Sequence, residues 1–321
     1  MSKPTRHPPP NLTLTAVTGL RVGHASNPEA ETGCTVVLGP FAASVEVHGF
    51  ATGSRELDVL SPLHIVPRCD GLLLTGGSAF GLAAADGVMR WLEERGEGFD
   101  TRAARVPIVP AAVLYDLGVG RPDVRPDAAM GYAASDAASE RPVDEGSIGV
   151  GTGATVGKLR GQAGAGASGV GSWADVGQVT VAALAAVNAF GDVLDAHGEI
   201  LAGTRSEEGG FLNTEMALRD EAGSAGFGAP GKAENTTLGV VATDAKLSRR
   251  QLRIMARQVA AAFSRRISPS GTLFDGDVVF ALSTSARPGP VEDAELMSLS
   301  LRAQSTLETA IERAVTVGVG L

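Results

Sequence analysis

A chain of 321 residues with 44% hydrophobic and 20% charged residues has the composition of a globular protein, as one large domain or two ordinary ones. A net charge of −9 argues against a nucleic-acid partner, whose phosphate field calls for a basic face. The only cysteines, Cys34 and Cys69, leave no disulfide framework and no Cys-based zinc site, and 4% aromatics beside 42 glycines leave the core to Ala, Val, Leu and Ile.

Met1 to Asn11 is polar and proline-rich and reads as a disordered tail, without the apolar core of a signal peptide. Leu12 to Val22 alternates as a strand does, and Cys34–Leu38 and Ser44–Val47 read as two short strands. Gly71–Thr75 is a buried strand feeding a glycine turn at Gly76-Gly77, then a helix from about Ala79 to Arg95. Val106–Val109 and Ala111–Tyr115 suggest a strand pair interrupted by Pro110, and Asp127 to Ser139 is helical by its alanines. A glycine belt from Gly146 to Gly171 precedes the apolar strand Val179–Asn188. Asp192 to Gly231, polar and glycine-rich, reads as a mobile linker. Beyond it lie a β-branched strand from Thr236, a helix capped by Ser248 and running through Arg266, the strand Val278–Ser283, and a closing helix from Glu292 to about Val317. Strands in runs flanked by helices favour two layered sheets covered by helices over a parallel doubly wound sheet. No run approaches the roughly 18 apolar residues of a membrane span, so a cytoplasmic enzyme with neither membrane nor nucleic-acid partner is the expectation.

Chemistry-bearing residues gather at strand mouths. Asn235-Thr236-Thr237 opens the strand after the linker, as a turn or as something more. If the chain were cut after Asn235, Thr236 would carry a hydroxyl nucleophile and an α-amine whose unperturbed pKa is about 7.7–8.0, suited to a general base near neutral pH. Asp275-Gly276-Asp277 is either a turn or a carboxylate pair that orients such an ammonium and holds the hydroxyl. Asn188 ends an apolar strand, where its amide must find partners and could donate to a developing oxyanion. Lys158 is the lone charge of the glycine-rich stretch Gly151–Lys158, either solvated or reaching inward to lower a nearby amine's pKa. Gly76-Gly77-Ser78-Ala79-Phe80-Gly81 misses the G-x-S-x-G elbow by one residue and reads as a packing turn. Gly164 to Gly169 matches G-x-G-x-x-G but leads into no helix, and the scattered histidines give little support for a metal.

Taken in order, Thr18-Gly19-Leu20-Arg21-Val22-Gly23-His24, Thr32-Gly33-Cys34-Thr35-Val36, Thr75-Gly76-Gly77-Ser78-Ala79-Phe80-Gly81-Leu82, Pro110-Ala111-Ala112-Val113-Leu114-Tyr115-Asp116, Asn235-Thr236-Thr237 and Phe274-Asp275-Gly276-Asp277 resemble the P1 peptidases, serine peptidase family S58. That family holds the L-aminopeptidase/D-esterases, the β-peptidyl aminopeptidases and the nylon-oligomer hydrolases. The resemblance implies an α/β/β/α sandwich of the N-terminal-nucleophile-hydrolase kind over residues 12–321, self-cleaved into an α chain of residues 1–235 and a β chain of 236–321. It implies amide hydrolysis through an acyl-enzyme on Thr236, with Asp275, Asp277, Asn188, Lys158 and Tyr115 around it, and with no cofactor or metal. A Thr nucleophile with an Asp-Gly-Asp triplet is closer to the nylon-oligomer branch, whereas Val241-Ala242-Thr243-Asp244-Ala245 follows the aminopeptidase wording. The substrates implied are small peptides, amino-acid amides or oligoamides, and the assembly a homo-oligomer, a tetramer of αβ units. An acetyl transferase of a related self-processing fold and a non-catalytic small-molecule-binding protein are the alternatives.

Overall fold

The computed structural model describes residues 11–220 and 235–318. The tail expected over residues 1–11 therefore lies, Asn11 apart, outside the described residues, as does 221–234.

Nine strands share one hydrogen-bonded path: β1 (Arg21–Asn27), β2 (Thr32–Val47), β3 (Ser54–Arg55), β4 (Cys69–Thr75), β5 (Ala111–Val113), β6 (Val170–Asp175), β7 (Val181–Asn188), β8 (Thr236–Ala245) and β9 (Val278–Arg287). Their order is β6-β7-β8-β9-β2-β4-β5-β3, with β1 on β2. The two short strands expected between Cys34 and Val47 are one strand of 16 residues that serves both halves of the path. Its first part, through Leu38, pairs with β1 and β4; its second, Ala42 to Val47, pairs with β9. A register shift between Leu38 and Phe41 marks the passage, and β2 is thereby the hinge about which the two halves stack.

The side chains sort accordingly. On β7, Ala182, Leu184 and Ala186 face the apolar layer shared with Val37, Leu72 and Leu74 of the opposite half, while Val181, Ala183, Ala185 and Val187 face helices. Val278, Phe280 and Leu282 of β9 likewise point between the halves, and Val279 and Ala281 outward. Period-two alternation with both faces apolar is the pattern of a strand covered on each side. The helices α1 (Ala84–Glu93) and α2 (Ala128–Asp136) cover one half through Val88, Trp91, Leu92 and Ala134. The helices α4 (Arg249–Val259), α5 (Ala261–Arg266) and α6 (Asp293–Thr316) cover the other, whereas α3 (Thr214–Asp220) is a short piece at its end. Ser248 opens α4 with a full capping box, its hydroxyl accepting from the Gln251 N–H. The layers run α/β/β/α.

The expected strand Val106–Val109 is limited to Arg105–Val106, and two further segments differ from expectation. Leu12 to Leu20 forms a short 3-10 turn at Leu14–Ala16, and Leu14, Val17 and Leu20 are all fully buried. A spacing of three plants those side chains in the layer between the halves, which alternation cannot do. Residues 192–220, expected as part of a linker, carry two short strands and α3 because a carboxylate ties them down. Asp192 accepts from the Thr204 N–H at 3.0 Å, the Thr214 N–H at 2.7 Å and the Thr214 hydroxyl at 2.8 Å.

Phe280 is the largest side chain that β9 buries between the halves. Phe280→Ala is expected to lower the unfolding free energy by about 3–5 kcal/mol in a urea titration. A loss below about 1 kcal/mol would contradict the stacked core.

Candidate active site

Three strand ends meet at one edge of the sandwich. Antiparallel β7 and β8 place Asn188, the last residue of one, opposite Thr236, the first of the other. Parallel β8 and β9 set Leu238 opposite Val278, so Asp277 stands beside the mouth of β8. The residues that sequence singles out for chemistry, Thr236, Asn188, Lys158, Asp275 and Asp277, are gathered here, and each is buried.

The Thr236 hydroxyl donates to the carbonyl oxygen of Asn235 at 2.6 Å. The same oxygen accepts the Gly276 N–H at 2.9 Å, through a parallel bridge between Asn235 and Asp275. Glycine is required at 276 by close approach, since a Cβ there would sit 2.8 Å from the Thr236 hydroxyl oxygen and 2.8 Å from the Ala51 carbonyl. Asp277 accepts the Thr237 N–H at 2.6 Å and the Gly271 N–H at 3.3 Å, and Asp275 accepts the Thr272 N–H at 2.7 Å. The two carboxylates thus frame the main chain on either side of Gly276. The loop after β2 holds them from behind, with the His48 N–H donating to the Asp277 carbonyl at 2.8 Å and the Ala51 N–H to the Asp275 carbonyl at 2.9 Å.

Asn188 is fully buried, and its side-chain oxygen accepts from the Lys158 ammonium at 2.7 Å and the Thr155 N–H at 3.1 Å. Its Nδ2 donates to the Tyr115 carbonyl at 2.8 Å. Donors on one side and a carbonyl on the other fix which end of the amide is oxygen. Lys158 donates again to the Asn188 main-chain carbonyl at 3.2 Å, and its own N–H bonds the Phe190 carbonyl at 2.9 Å. The glycine belt thus docks on the end of β7 and turns its one ammonium inward. Tyr115 joins this cluster through its main-chain carbonyl.

Burial dominates the electrostatics. It pushes the Asp277 carboxyl up to about 7, with the Asp275 charge as the second cause, against the Thr237 and Gly271 N–H groups. Burial also raises Asp275, while hydrogen bonds from Thr272 and the charges of Lys158 and His48 pull it down. Among the described residues no cluster of His, Cys, Asp or Glu is placed to hold a metal ion, and no helix is long and apolar enough to cross a membrane.

The profile of peptidase family S58 matches residues 13–319. The chain belongs to peptidase family S58. It is 40% identical to an uncharacterized aminopeptidase of Mycobacterium tuberculosis over 331 residues, which span 95% of this chain and 93% of that one. It is 31% identical to a 6-aminohexanoate-oligomer endohydrolase of Kocuria over 269 residues, spanning 83% of this chain and 73% of that one. The fold matches a Burkholderia β-aminopeptidase with TM-score 0.71, at 21% identity, covering 98% of this chain and 88% of that chain. It also matches the L-aminopeptidase D-Ala-esterase/amidase of Ochrobactrum anthropi, a variant of the N-terminal-nucleophile hydrolase fold, with TM-score 0.70, at 20% identity, covering 96% and 87%. As a member of this peptidase family the S58 chain is a hydrolase of amide bonds. Two groups in this S58 site escape a reading of side chains: the Gly276 N–H, a main-chain donor, and the Tyr115 carbonyl, a main-chain acceptor.

Because the folded pKa of Asp277 lies above the unfolded value of about 3.9, the carboxyl stabilises the fold at low pH, and that contribution is lost as pH rises through about 7. In a Thr236→Ala background, Asp277→Asn is therefore expected to gain thermal stability relative to the Asp277 parent between about pH 5 and about pH 8. Parallel pH profiles for the two proteins would contradict the assignment.

Proposed function

We propose that this S58 enzyme processes itself at Asn235–Thr236 and then uses Thr236 as the N-terminal nucleophile for amide hydrolysis. The observation that carries the reading is the shared carbonyl of Asn235: the Thr236 hydroxyl lies 2.6 Å from its oxygen, and the Gly276 N–H donates to it at 2.9 Å. Attack of the hydroxyl oxygen on that carbonyl carbon places negative charge on an oxygen already held by a main-chain donor. Collapse breaks the C–N bond as the hydroxyl proton passes to the leaving nitrogen, so the acyl group becomes an ester on the hydroxyl oxygen and Thr236 is left with a free amine. Water then hydrolyses the ester and separates residues 1–235 from 236–321.

In the mature enzyme the new amine takes the Thr236 hydroxyl proton as the oxygen attacks a substrate amide, the proton passes to the leaving amine, and water hydrolyses the acyl-enzyme. Asp275 and Asp277 position the amine and the hydroxyl, the Asn188 N–H meets the oxyanion, and Lys158 tunes the charge between them. The bond from Asn188 to the Tyr115 carbonyl supports including Tyr115 in this machinery. Thr236 is only 5% exposed in the unbroken chain, which fits a nucleophile that meets external substrate after cleavage. The relatives' names favour small peptides, amino-acid amides and linear oligoamides as substrates. Leu63 and Ile65, 93% and 88% exposed on one loop, fit burial in a homo-oligomer of αβ units.

The neighbouring threonine provides the control. The Thr237 hydroxyl is buried with no hydrogen-bond partner among the described residues, so Thr237→Val removes only an unsatisfied group. Thr237→Val is expected to remain self-cleaving and active. Thr236→Ala is expected to stay one chain and to lose at least about a thousandfold in hydrolysis of a panel of aminoacyl p-nitroanilides and linear 6-aminohexanoate oligomers. The reverse pattern would move the nucleophile by one residue. Acetyl transfer to an amine acceptor, or ligand binding that survives Thr236→Ala in an uncut chain, would replace hydrolysis with the transferase or the binding reading.

A further inference from the structure

Asp116 is a buried carboxylate just beyond the end of β5 to which the chemistry above assigns no part. Its Oδ2 accepts the Thr32 hydroxyl at 2.6 Å and its Oδ1 the Gly77 N–H at 2.7 Å. Glycine is forced on its neighbours: a Cβ on Gly76 would lie 2.0 Å from Oδ2, and Gly77 adopts φ +76°. The start of β2, the turn between β4 and α1, and the segment after β5 are therefore fastened to one side chain.

That segment includes Tyr115, whose carbonyl accepts Nδ2 of Asn188. The connection then runs through the Asn188 oxygen to the Lys158 ammonium. Each step is a short hydrogen bond or one residue of chain, so a shift of Asp116 moves the Tyr115 carbonyl and turns the Asn188 amide. Lys158 also lies close enough for its charge to favour the Asp116 carboxylate, against the burial that opposes it. An anion here costs desolvation that the fold offsets with two donors and a nearby cation.

We propose that Asp116 is a positioning residue of the Thr236 site, holding the Tyr115 carbonyl against Thr32 and Gly77 so that the Asn188 amide, which the strand register sets opposite Thr236, keeps its orientation beside the Asn235–Thr236 bond during self-cleavage as well as beside a substrate. The proposal rests on the reading of Thr236 as nucleophile. Asparagine can replace the acid without changing this geometry, because its oxygen still accepts the Gly77 N–H while its NH2 donates to a rotated Thr32 hydroxyl.

The test is a time course of Asn235–Thr236 cleavage during cell-free synthesis, read on denaturing gels, with thermal unfolding of each variant as the check on folding. Asp116→Ala is expected to slow cleavage by at least about tenfold, and Asp116→Asn to restore it to within about threefold of wild type. Wild-type cleavage in Asp116→Ala overturns the proposal, as does equal slowing of the folded Ala and Asn variants. If Asp116→Ala yields no folded protein, Thr32 decides: slow cleavage in Thr32→Val with wild-type cleavage in Thr32→Ser supports the clamp, and a wild-type rate in Thr32→Val overturns it. Thr236→Ala separates the two readings. An uncut Thr236→Ala beside a fast Asp116→Ala sinks Asp116 alone, whereas a Thr236→Ala chain that still cleaves sinks both.

Discussion

Lys158 is only 8% exposed, and taking its ammonium out of water costs several kcal/mol unless partners replace the hydration. Here Asn188 replaces part of it, accepting the ammonium at both its side-chain oxygen and its main-chain carbonyl. The demand is mutual, because a fully buried carboxamide also needs its donors and acceptors met. Satisfying both pins the glycine belt to the end of β7, fixes the direction of the Asn188 amide, and draws the Tyr115 carbonyl across from the other half of the sandwich. The other polar groups of the site are arranged around this buried contact.

The fold makes such a cluster affordable by placing it where strands stop. Inside the layers, β7, β8 and β9 bury both faces and pair along their lengths. At their ends the ladder runs out, and main-chain groups become available to side chains and to each other. The register that sets Asn188 opposite Thr236 and Asp277 beside Thr237 is a consequence of the apolar alternation. A slip by one residue would turn every inward side chain outward. Core packing therefore positions the Thr236 hydroxyl, and the acidic triplet closes over it through Gly276, whose missing side chain allows the approach.

Much of this was legible in the residues because strand ends show as breaks in apolar runs. Asn188 closes one run, Thr236 opens another and Asp277 stands just ahead of a third, and Lys158 is conspicuous as a charge among glycines. The stacked layers were legible from strands in runs flanked by helices. Main-chain chemistry was not: the Gly276 N–H and the Tyr115 carbonyl carry no side-chain signal, and their partners are set by packing across the two halves. Composition also misled in two places. Residues 192–220 are polar and glycine-rich, yet one buried carboxylate, Asp192, orders them, and Leu12 to Leu20 alternates in sequence but buries every third residue. In both, a tertiary contact overrode the local pattern.

The claim at the centre of this account is that the bond held between the Thr236 hydroxyl and the Gly276 N–H is one the protein breaks itself. Intact mass measurement of the purified wild-type protein under denaturing conditions, with N-terminal sequencing of its smaller species, tests that most directly. The account predicts two chains, the smaller beginning Thr-Thr-Leu-Gly-Val at Thr236 and ending at Leu321. A single species of the full 32.6 kDa from active protein, or a smaller chain beginning anywhere else, would contradict it.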